Sequence, residues 1–193
     1  MVFLVEGESD QIALESGLSE LIFTAFPDYE VRFLLQQRLV NAAGDELDDS
    51  NDEGDDFSED DEVEFIEEEE YKLGGDITSS SFVTPTNIET KITNRFIIPA
   101  VKAGGGFYEK KIVRIIQIVD LDGAYLNEEH LAPLAAERSD WEGLFYNPDA
   151  GVIETDNRED TLDRNERKQK NLDYLLSLTE TGIKIKSSTI PYE

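Results

Sequence analysis

The chain has 193 residues, enough for one domain or for one domain with an added arm. Its 44 acidic residues against 17 Lys and Arg give a net charge of −27, which argues against attachment to nucleic acid or to anionic membranes by bulk charge. The absence of cysteine excludes disulfides and thiolate zinc sites. The sequence has no apolar run of membrane-spanning length and no signal-peptide pattern. It therefore predicts a soluble, cytoplasmic protein.

The acidic residues are concentrated in one segment. Residues 45–70 hold 17 Asp and Glu and no Lys or Arg, whereas the rest of the chain holds 27 acidic and 17 basic residues. Like charges at that density repel one another, and the segment offers few apolar side chains to bury. We therefore predict an acidic, mobile insertion over residues 44–81, in the form of a loop or a loose hairpin. The functional alternative is that the insertion attracts a basic partner or mimics DNA.

The first elements read as strand, helix and strand. Val2–Val5 is a compact apolar run, which predicts a buried strand. A helix capped by Ser9 or Asp10 follows and stops at Pro27, and Tyr29–Leu35 is rich in residues that favour strands. The predicted apolar face of the helix consists of Ile12, Leu14, Leu18, Leu21, Ile22 and Phe26.

Beyond the acidic segment, the pattern predicts a short strand and then a helix. Phe82–Val83 is the candidate strand. Thr86 and Glu89 have the spacing of a capping box, and Pro99 kinks the helix or marks its end. Gly104–Gly106 is interpreted as a hinge, since it does not open a helix after a strand as phosphate-binding loops do. The predicted buried face of this helix consists of Ile88, Ile92, Phe96 and Ile97.

Ile112–Val119 is almost unbroken apolar sequence, which is typical of a parallel strand covered on both faces. We therefore expect it to be a central strand. The remaining predicted elements are two short strands around a turn, a long charged helix and a last strand: Trp141–Tyr146, Gly151–Glu154, Arg158–Leu178 and Ile183–Ile190. In the helix we expect Leu172, Leu175 and Leu176 to be buried.

Strands that alternate with helices predict an α/β fold with a mainly parallel sheet flanked by helices. We expect residues 1–193 to form a single domain. The chain ends directly after its last predicted strand, so it is interpreted either as a complete protein or as the N-terminal part of a longer one.

Two acidic clusters follow two predicted strands. Glu6, Glu8 and Asp10 come after the first predicted strand. Asp120 and Asp122 come after the predicted central strand, Ile112–Val119. If the two strands are neighbours, their carboxyl ends open on one cleft, where ligands bind in parallel α/β sheets. Carboxylates crowded together repel one another, and a divalent cation relieves that repulsion. Oxygen-only ligands favour Mg²⁺, Mn²⁺ or Ca²⁺ over zinc.

These motifs resemble those of the TOPRIM domain, which topoisomerases, bacterial primases and OLD-family nucleases share. The sequence Val-Glu-Gly-Glu-Ser-Asp follows the first strand, and Ile-Val-Asp-Leu-Asp-Gly follows a later one. The family carries a Glu after its first strand and Asp-x-Asp after its third, which match Glu6, Asp120 and Asp122. Asp10 falls where OLD-like members carry a further acidic residue. The resemblance covers mainly residues 2–26 and 112–126 and implies a Rossmann-like TOPRIM fold.

The resemblance implies a nuclease that hydrolyses DNA or RNA with Mg²⁺ or Mn²⁺. Asp120 and Asp122 would hold the metal, Asp10 would help with a second ion, and Glu6 would act as a ligand or as general acid and base. Some members work beside ABC-type ATPases in phage defence, which makes an ATPase a candidate partner.

Three other interpretations stay open. Asp120 and Asp122 can form an ordinary strand-to-turn exit. The scaffold can be that of an acidic interaction protein without chemistry, which binds a basic partner. It can also be that of a different phosphotransfer enzyme with the same acidic cleft.

The predicted final helix carries a cluster of basic residues: Arg164, Arg167, Lys168 and Lys170. They are interpreted either as ion pairs on the helix surface or as the edge that grips nucleic-acid phosphates, with Arg167, Lys168 and Lys170 as the binding residues. His130, the one histidine, is expected to be a surface helix residue.

Overall fold

The computed structural model describes residues 1–40, 70–73, 75–103, 109–121, 123–138 and 143–193. Two compact units divide the chain: Met1–Gly75 with Ile92–Ile118, and Asp76–Lys91 with Val119–Glu193. Most of the predicted acidic insertion lies outside the described residues. Gly104–Gly106, Asp122 and Trp141 lie outside them as well.

The described strands are β1 (Val2–Val5), β2 (Arg32–Leu35), β3 (Gln37–Val40), β4 (Glu70–Leu73), β5 (Ile115–Gln117), β6 (Leu131–Pro133), β7 (Leu144–Asn147), β8 (Val152–Thr155), β9 (Ile183–Ile185) and β10 (Ser188–Ile190). The described α-helices are α1 (Glu8–Ala25), α2 (Ile88–Ile92), α3 (Ile98–Lys102) and α4 (Arg158–Thr181). A π-helical turn spans Thr93–Ile97, and short 3₁₀ turns span Glu109–Lys111, Glu128–His130 and Ala136–Arg138. None of the described helices is both long and apolar enough to cross a membrane.

The first unit contains a parallel sheet of three strands in the order β2-β1-β5. All four residues of β1 are buried, because an uninterrupted apolar strand can be covered on both of its faces. The predicted α/β class with a parallel sheet and helices is confirmed. Within the same unit, β3 pairs with β4 in an antiparallel ribbon.

Helix α1 packs against this sheet along a narrow stripe. Leu14, Leu18 and Ile22 contact the core of Phe3, Val5 and Phe33, in which the two phenylalanine rings stack at 4.8 Å. These three helical side chains are four residues apart and so share one face. The wider predicted face is wrong for three members, which are exposed: Ile12, Leu21 and Phe26.

The predicted central strand Ile112–Val119 is shorter than expected and lies beside the centre of the sheet. Only Ile115–Gln117 is a strand, and β1 lies between it and β2. The pairing extends by one bond, because the Ile118 N–H donates to the Leu4 carbonyl at 2.9 Å. The prediction of a parallel strand is confirmed, whereas its central position among the described strands is wrong.

The helical segment around Pro99 buries the side chains that its spacing predicts. Ile88, Ile92, Phe96 and Ile97 are all buried. Pro99 has no N–H to donate, and the π-helical turn immediately before it accommodates the interruption. The predicted capping box is wrong, since Glu89 instead accepts hydrogen bonds from the Tyr174 hydroxyl at 2.6 Å and the Lys184 N–H at 3.2 Å.

The second unit contains a three-stranded sheet in the order β6-β8-β7, helix α4 and the β9–β10 hairpin. The predicted hairpin around residues 147–149 is confirmed, with Tyr146 opposite Ile153. Asn157 caps α4 and Gly182 ends it. Leu172 and Leu175 are buried as predicted, but Leu176 is exposed. The predicted last strand is instead a hairpin, because its chain reverses at residues 186–187.

Residues 76–83 are held against α4 in the second unit. Ile77 and Thr78 are fully buried, although they belong to the predicted insertion. The Asn171 side chain donates to the carbonyls of Thr78 and Val83, at 2.8 and 3.1 Å. The predicted strand Phe82–Val83 is wrong, because these side-chain bonds hold the segment as a series of turns.

Candidate functional site

The predicted site residues Glu6 and Asp10 flank the start of α1. Glu6 follows β1 directly, and its carbonyl accepts the Gly75 N–H at 2.6 Å. Asp10 is exposed in the first helical turn, where its carboxylate accepts the Gly7 N–H at 3.2 Å. The predicted caps Ser9 and Asp10 are wrong, because Gly7 is the N-cap of α1 and both residues lie within the helix. A carboxylate in this turn also faces the positive end of the helix dipole.

Asp120 lies shortly after β5 and is exposed. The chain leaves the sheet at Ile118, and a tight turn follows, in which the Ala124 N–H donates to the Leu121 carbonyl at 2.7 Å. Gly123 in this turn has a φ of 76°, a conformation that glycine adopts without strain. Its predicted partner Asp122 lies outside the described residues.

The strands before these two acidic segments are neighbours in the sheet of the first unit. β1 and β5 run parallel, with Leu4 opposite Gln117. Glu6 and the chain beyond Ile118 therefore leave that sheet at the same edge. Among the side chains that the structure describes, no three His, Cys, Asp or Glu residues are close enough to hold a metal ion.

The predicted basic cluster on α4 is largely engaged in packing. Lys168 is fully buried and pairs with Asp76, with 2.7 Å between the ammonium nitrogen and a carboxylate oxygen. The prediction that Lys168 grips nucleic-acid phosphates is therefore wrong, because no phosphate can reach it. Arg167 donates to the Ser79 carbonyl at 3.1 Å. Lys170 is exposed and pairs with Glu166 one helical turn away, at 2.6 Å.

Asp76 is a structural acid that the sequence did not single out. Burial alone raises the pKa of its carboxyl, but hydrogen bonds from Lys168 and Thr78 outweigh burial and hold the pKa below its usual value of 3.8. The only sequence signal was its place directly after Gly74 and Gly75, where a loop is expected.

Glu154 is a second buried acid that the sequence did not identify. Its carboxylate accepts hydrogen bonds from the Asn147 amide at 2.7 Å, from Arg138 at 2.7 and 2.8 Å, and from the Ala135 N–H at 3.1 Å. Led by the Asn147 bond and the Arg138 bonds, these contacts lower the pKa of Glu154 to about 2. The Arg138 guanidinium also lies 4.2 Å from the centre of the Phe145 ring. This cluster ties β7, β8 and the 3₁₀ turn at Ala136–Arg138 together.

His130 lies at the surface, as predicted, in a 3₁₀ turn rather than an α-helix. Its Nδ1 atom is 3.2 Å from the Gly151 carbonyl oxygen. This bond links the turn to the β7–β8 hairpin, so the residue has a structural contact of its own.

Comparisons of the chain with protein-family models, with curated proteins and with solved structures find no match. The fold alone defines its class, which is that of an α/β protein with a parallel three-stranded sheet and helices.

Proposed function

We propose that the protein is a Mg²⁺- or Mn²⁺-dependent nuclease of the TOPRIM type, which hydrolyses phosphodiester bonds in DNA or RNA. The supporting observation is the parallel pairing of β1 with β5. Because of this pairing, Glu6 and the chain that leads to Asp120 both leave the sheet at the carboxyl ends of its strands. Ligand sites of parallel α/β sheets lie outside this edge.

The chemistry of the proposed ligands suits a hard divalent cation. The proposed ligands Glu6, Asp10, Asp120 and Asp122 offer only carboxylate oxygens, which Mg²⁺ and Mn²⁺ accept and which zinc sites seldom use alone. The Gly7 N–H already orients the Asp10 carboxylate. Asp120 is exposed and needs no unfolding to reach a ligand.

In this proposal, Asp120 and Asp122 hold the metal, and Asp10 contributes to a second ion. The bound metal would activate a water molecule and stabilise the negative charge that develops on the phosphodiester. Glu6 would either ligate or act as general base, with its carboxylate accepting a proton from the attacking water.

Substrate must approach a protein with a net charge of −27. Lys170, with a side chain 63% exposed, and the half-buried Arg167 are the cations of the predicted cluster that can still contact phosphate. Lys168 is left out for the reason given above. An ATPase partner, as the resemblance implies, would be a second source of binding energy.

Cleavage of supercoiled plasmid and of single-stranded RNA tests the proposal. Wild-type protein should cut at least one substrate with Mg²⁺ or Mn²⁺ and not with EDTA. Asp120→Asn, Asp122→Asn and Glu6→Gln should each abolish cleavage. Asp149→Asn is the matched control, since Asp149 is an exposed turn aspartate, and it should cut like wild type.

The competing candidate is an acidic interaction protein without chemistry, which the 17 acidic residues in positions 45–70 favour. It predicts no metal-dependent cleavage of either substrate. Cleavage that survives in Asp120→Asn and Asp122→Asn would instead place any activity elsewhere and overturn the assigned site.

A further inference from the structure

An apolar groove lies on the surface of the second unit, with the buried Ile153 among its lining residues. The pocket has a volume of about 530 Å³. Its walls carry five apolar or aromatic side chains that are between 40% and 67% exposed: Leu121, Tyr125, Leu126, Leu144 and Tyr146. Single exposed apolar residues are ordinary on protein surfaces, but a contiguous set of five is typical of an interaction site.

One wall of the groove is a face of the strand β7. Leu144 and Tyr146 alternate along β7 and are exposed, whereas Phe145 between them is turned toward Arg138. Ile153 lies opposite Tyr146 on β8 and lines the floor. The period-two pattern of the strand thus presents an apolar row to solvent, where a polar row would ordinarily lie.

The other wall is a turn that α4 holds in place. The Tyr125 hydroxyl donates to the Asp173 carboxylate at 2.9 Å, and the Asn165 amide donates to the Gly123 carbonyl at 3.4 Å. Within the turn, the Leu126 N–H donates to the Gly123 carbonyl at 2.9 Å. These bonds hold the backbone of the turn and the Tyr125 side chain in place before any partner arrives, which lowers the entropic cost of binding.

The chain segment that supplies the lining of the groove is acidic in sequence. Between Val119 and Asn157, the segment that supplies its lining, the sequence has ten Asp and Glu and a single Arg. That arginine, Arg138, is bonded to Glu154. The charge therefore favours a cationic partner and disfavours nucleic acid or an anionic lipid surface.

The lining also argues against a small polar metabolite. Such ligands are oriented by several convergent polar groups, whereas the described lining offers only the hydroxyls of Tyr125 and Tyr146, and Tyr125 already bonds Asp173. Tyrosine and leucine side chains on an open surface suit a peptide with apolar anchors.

We propose that this groove is a docking site for a short basic amphipathic segment of another protein. Two or three of its apolar side chains fill the groove between β7 and the wall that carries Leu121, Tyr125 and Leu126, and its Lys or Arg side chains face acidic residues of the protein. Among the described residues, none of Glu6, Asp10 or Asp120 lines the groove, although Leu121 in its wall directly follows Asp120 in the chain.

Binding of a fluorescein-labelled peptide to the full chain tests the proposal. The probe is a short peptide of Leu, Trp and Lys, and two control peptides replace Lys by Glu or Leu and Trp by Ser. Fluorescence anisotropy should show saturable binding of the probe, weakening as salt is raised, and no binding of either control peptide. Binding of the Ser peptide with equal affinity would reduce the interaction to bulk charge and overturn the proposal.

Matched variants locate the interaction. Leu144→Ser and Tyr146→Ser should each weaken binding by roughly tenfold or more, since each removes an apolar anchor. Leu176→Ser is the control, because Leu176 is an exposed leucine outside the groove, and it should leave the affinity within about twofold of wild type. Equal losses in all three variants would contradict the assignment.

Two further measurements exclude other occupants. If a second copy fills the groove, wild type sediments as a dimer and Leu144→Ser as a monomer. If this chain covers the groove itself, Leu144→Ser melts several degrees below Leu176→Ser. Either result would overturn the proposal, which requires the same association state in both proteins and closely similar melting temperatures.

Discussion

The ammonium group of Lys168 is fully buried in the second unit and bonds the Asp76 carboxylate at 2.7 Å. Removing two charges from water is costly, and their attraction offsets this cost only where further hydrogen bonds complete the pair. Thr78 supplies such bonds to Asp76 from its N–H and its hydroxyl. The pair therefore fixes residues 76–83 on α4, because loss of either charge leaves the other buried without its counterion.

Lys168→Ala should lower the free energy of unfolding by about 3–5 kcal/mol, the range for breaking a buried ion pair from one side. Lys170→Ala is the matched control, because it removes an exposed ion pair on the helix surface, whose contribution solvent screening keeps small. Urea denaturation of both variants measures the difference. Similar losses in the two variants would contradict the structural role of Lys168.

The same pair gives a pH dependence. Because the pKa of Asp76 is lowered in the folded state, its ionised form adds stability that is fully present above the unfolded pKa. That stability is lost as the pH falls through the folded pKa. The double variant Asp76→Asn with Lys168→Met should lose less unfolding free energy than wild type between about pH 5 and pH 2. Parallel stability curves over this range would contradict the lowered pKa.

At the scale of elements, the structure was predicted well wherever the sequence carries a strong local signal. The apolar run Val2–Val5, the turn at residues 147–149 and the long charged helix all appear close to their expected bounds. Each depends on short-range chemistry: strand propensity, turn residues, or a cap and a terminal glycine. Such signals act within a few residues and need no tertiary contact.

Three of the incorrect predictions share a long-range cause. Asn171 fixes the turns at residues 76–83 from about 90 positions away in the chain. Glu89 has the spacing of a capping box, but its carboxylate is used by Tyr174 and Lys184. Lys168 lies in a charged stretch of sequence that is typical of a helix surface, but in the structure it is buried against Asp76. A linear pattern carries none of these pairings.

Gly182 has both a positive φ and a close neighbour, whereas Gly151 has only the positive φ. Its φ is 75°, and a Cβ there would lie 2.7 Å from the Ile190 carbonyl oxygen. Gly151 has a similar φ of 66° but nothing within 4 Å of such a Cβ. Gly151→Ala should therefore cost about 1 kcal/mol of backbone strain, and Gly182→Ala about 1–3 kcal/mol more, from overpacking against β10. Equal changes in melting temperature would contradict the close approach.

At the scale of the molecule, charge is the dominant feature. Residues 45–69 contribute 16 of the 44 acidic residues, and the flanking strands β3 and β4 pair with each other, with Val40 opposite Glu70. A short Gly-Ser turn can therefore join the strands in place of this segment.

Replacing residues 45–69 by such a turn should leave stability unchanged at about 0.15 M salt and raise it at low salt, where repulsion among the carboxylates is least screened. Thermal melts at two salt concentrations measure this. A melting temperature several degrees below wild type at the higher salt would show that the segment contributes to the fold.

The proposed metal site is the central claim, and the response of thermal stability to Mg²⁺ tests it most directly. Saturation at a hundred times the dissociation constant should stabilise wild type by about 2.7 kcal/mol, or roughly 5–10 °C in a protein of this size. Asp120→Asn should melt at or above wild type in EDTA, because it relieves carboxylate repulsion, and should lose most of the Mg²⁺ gain. Asp149→Asn should keep that gain. An equal Mg²⁺ shift in wild type and in Asp120→Asn would contradict the assignment.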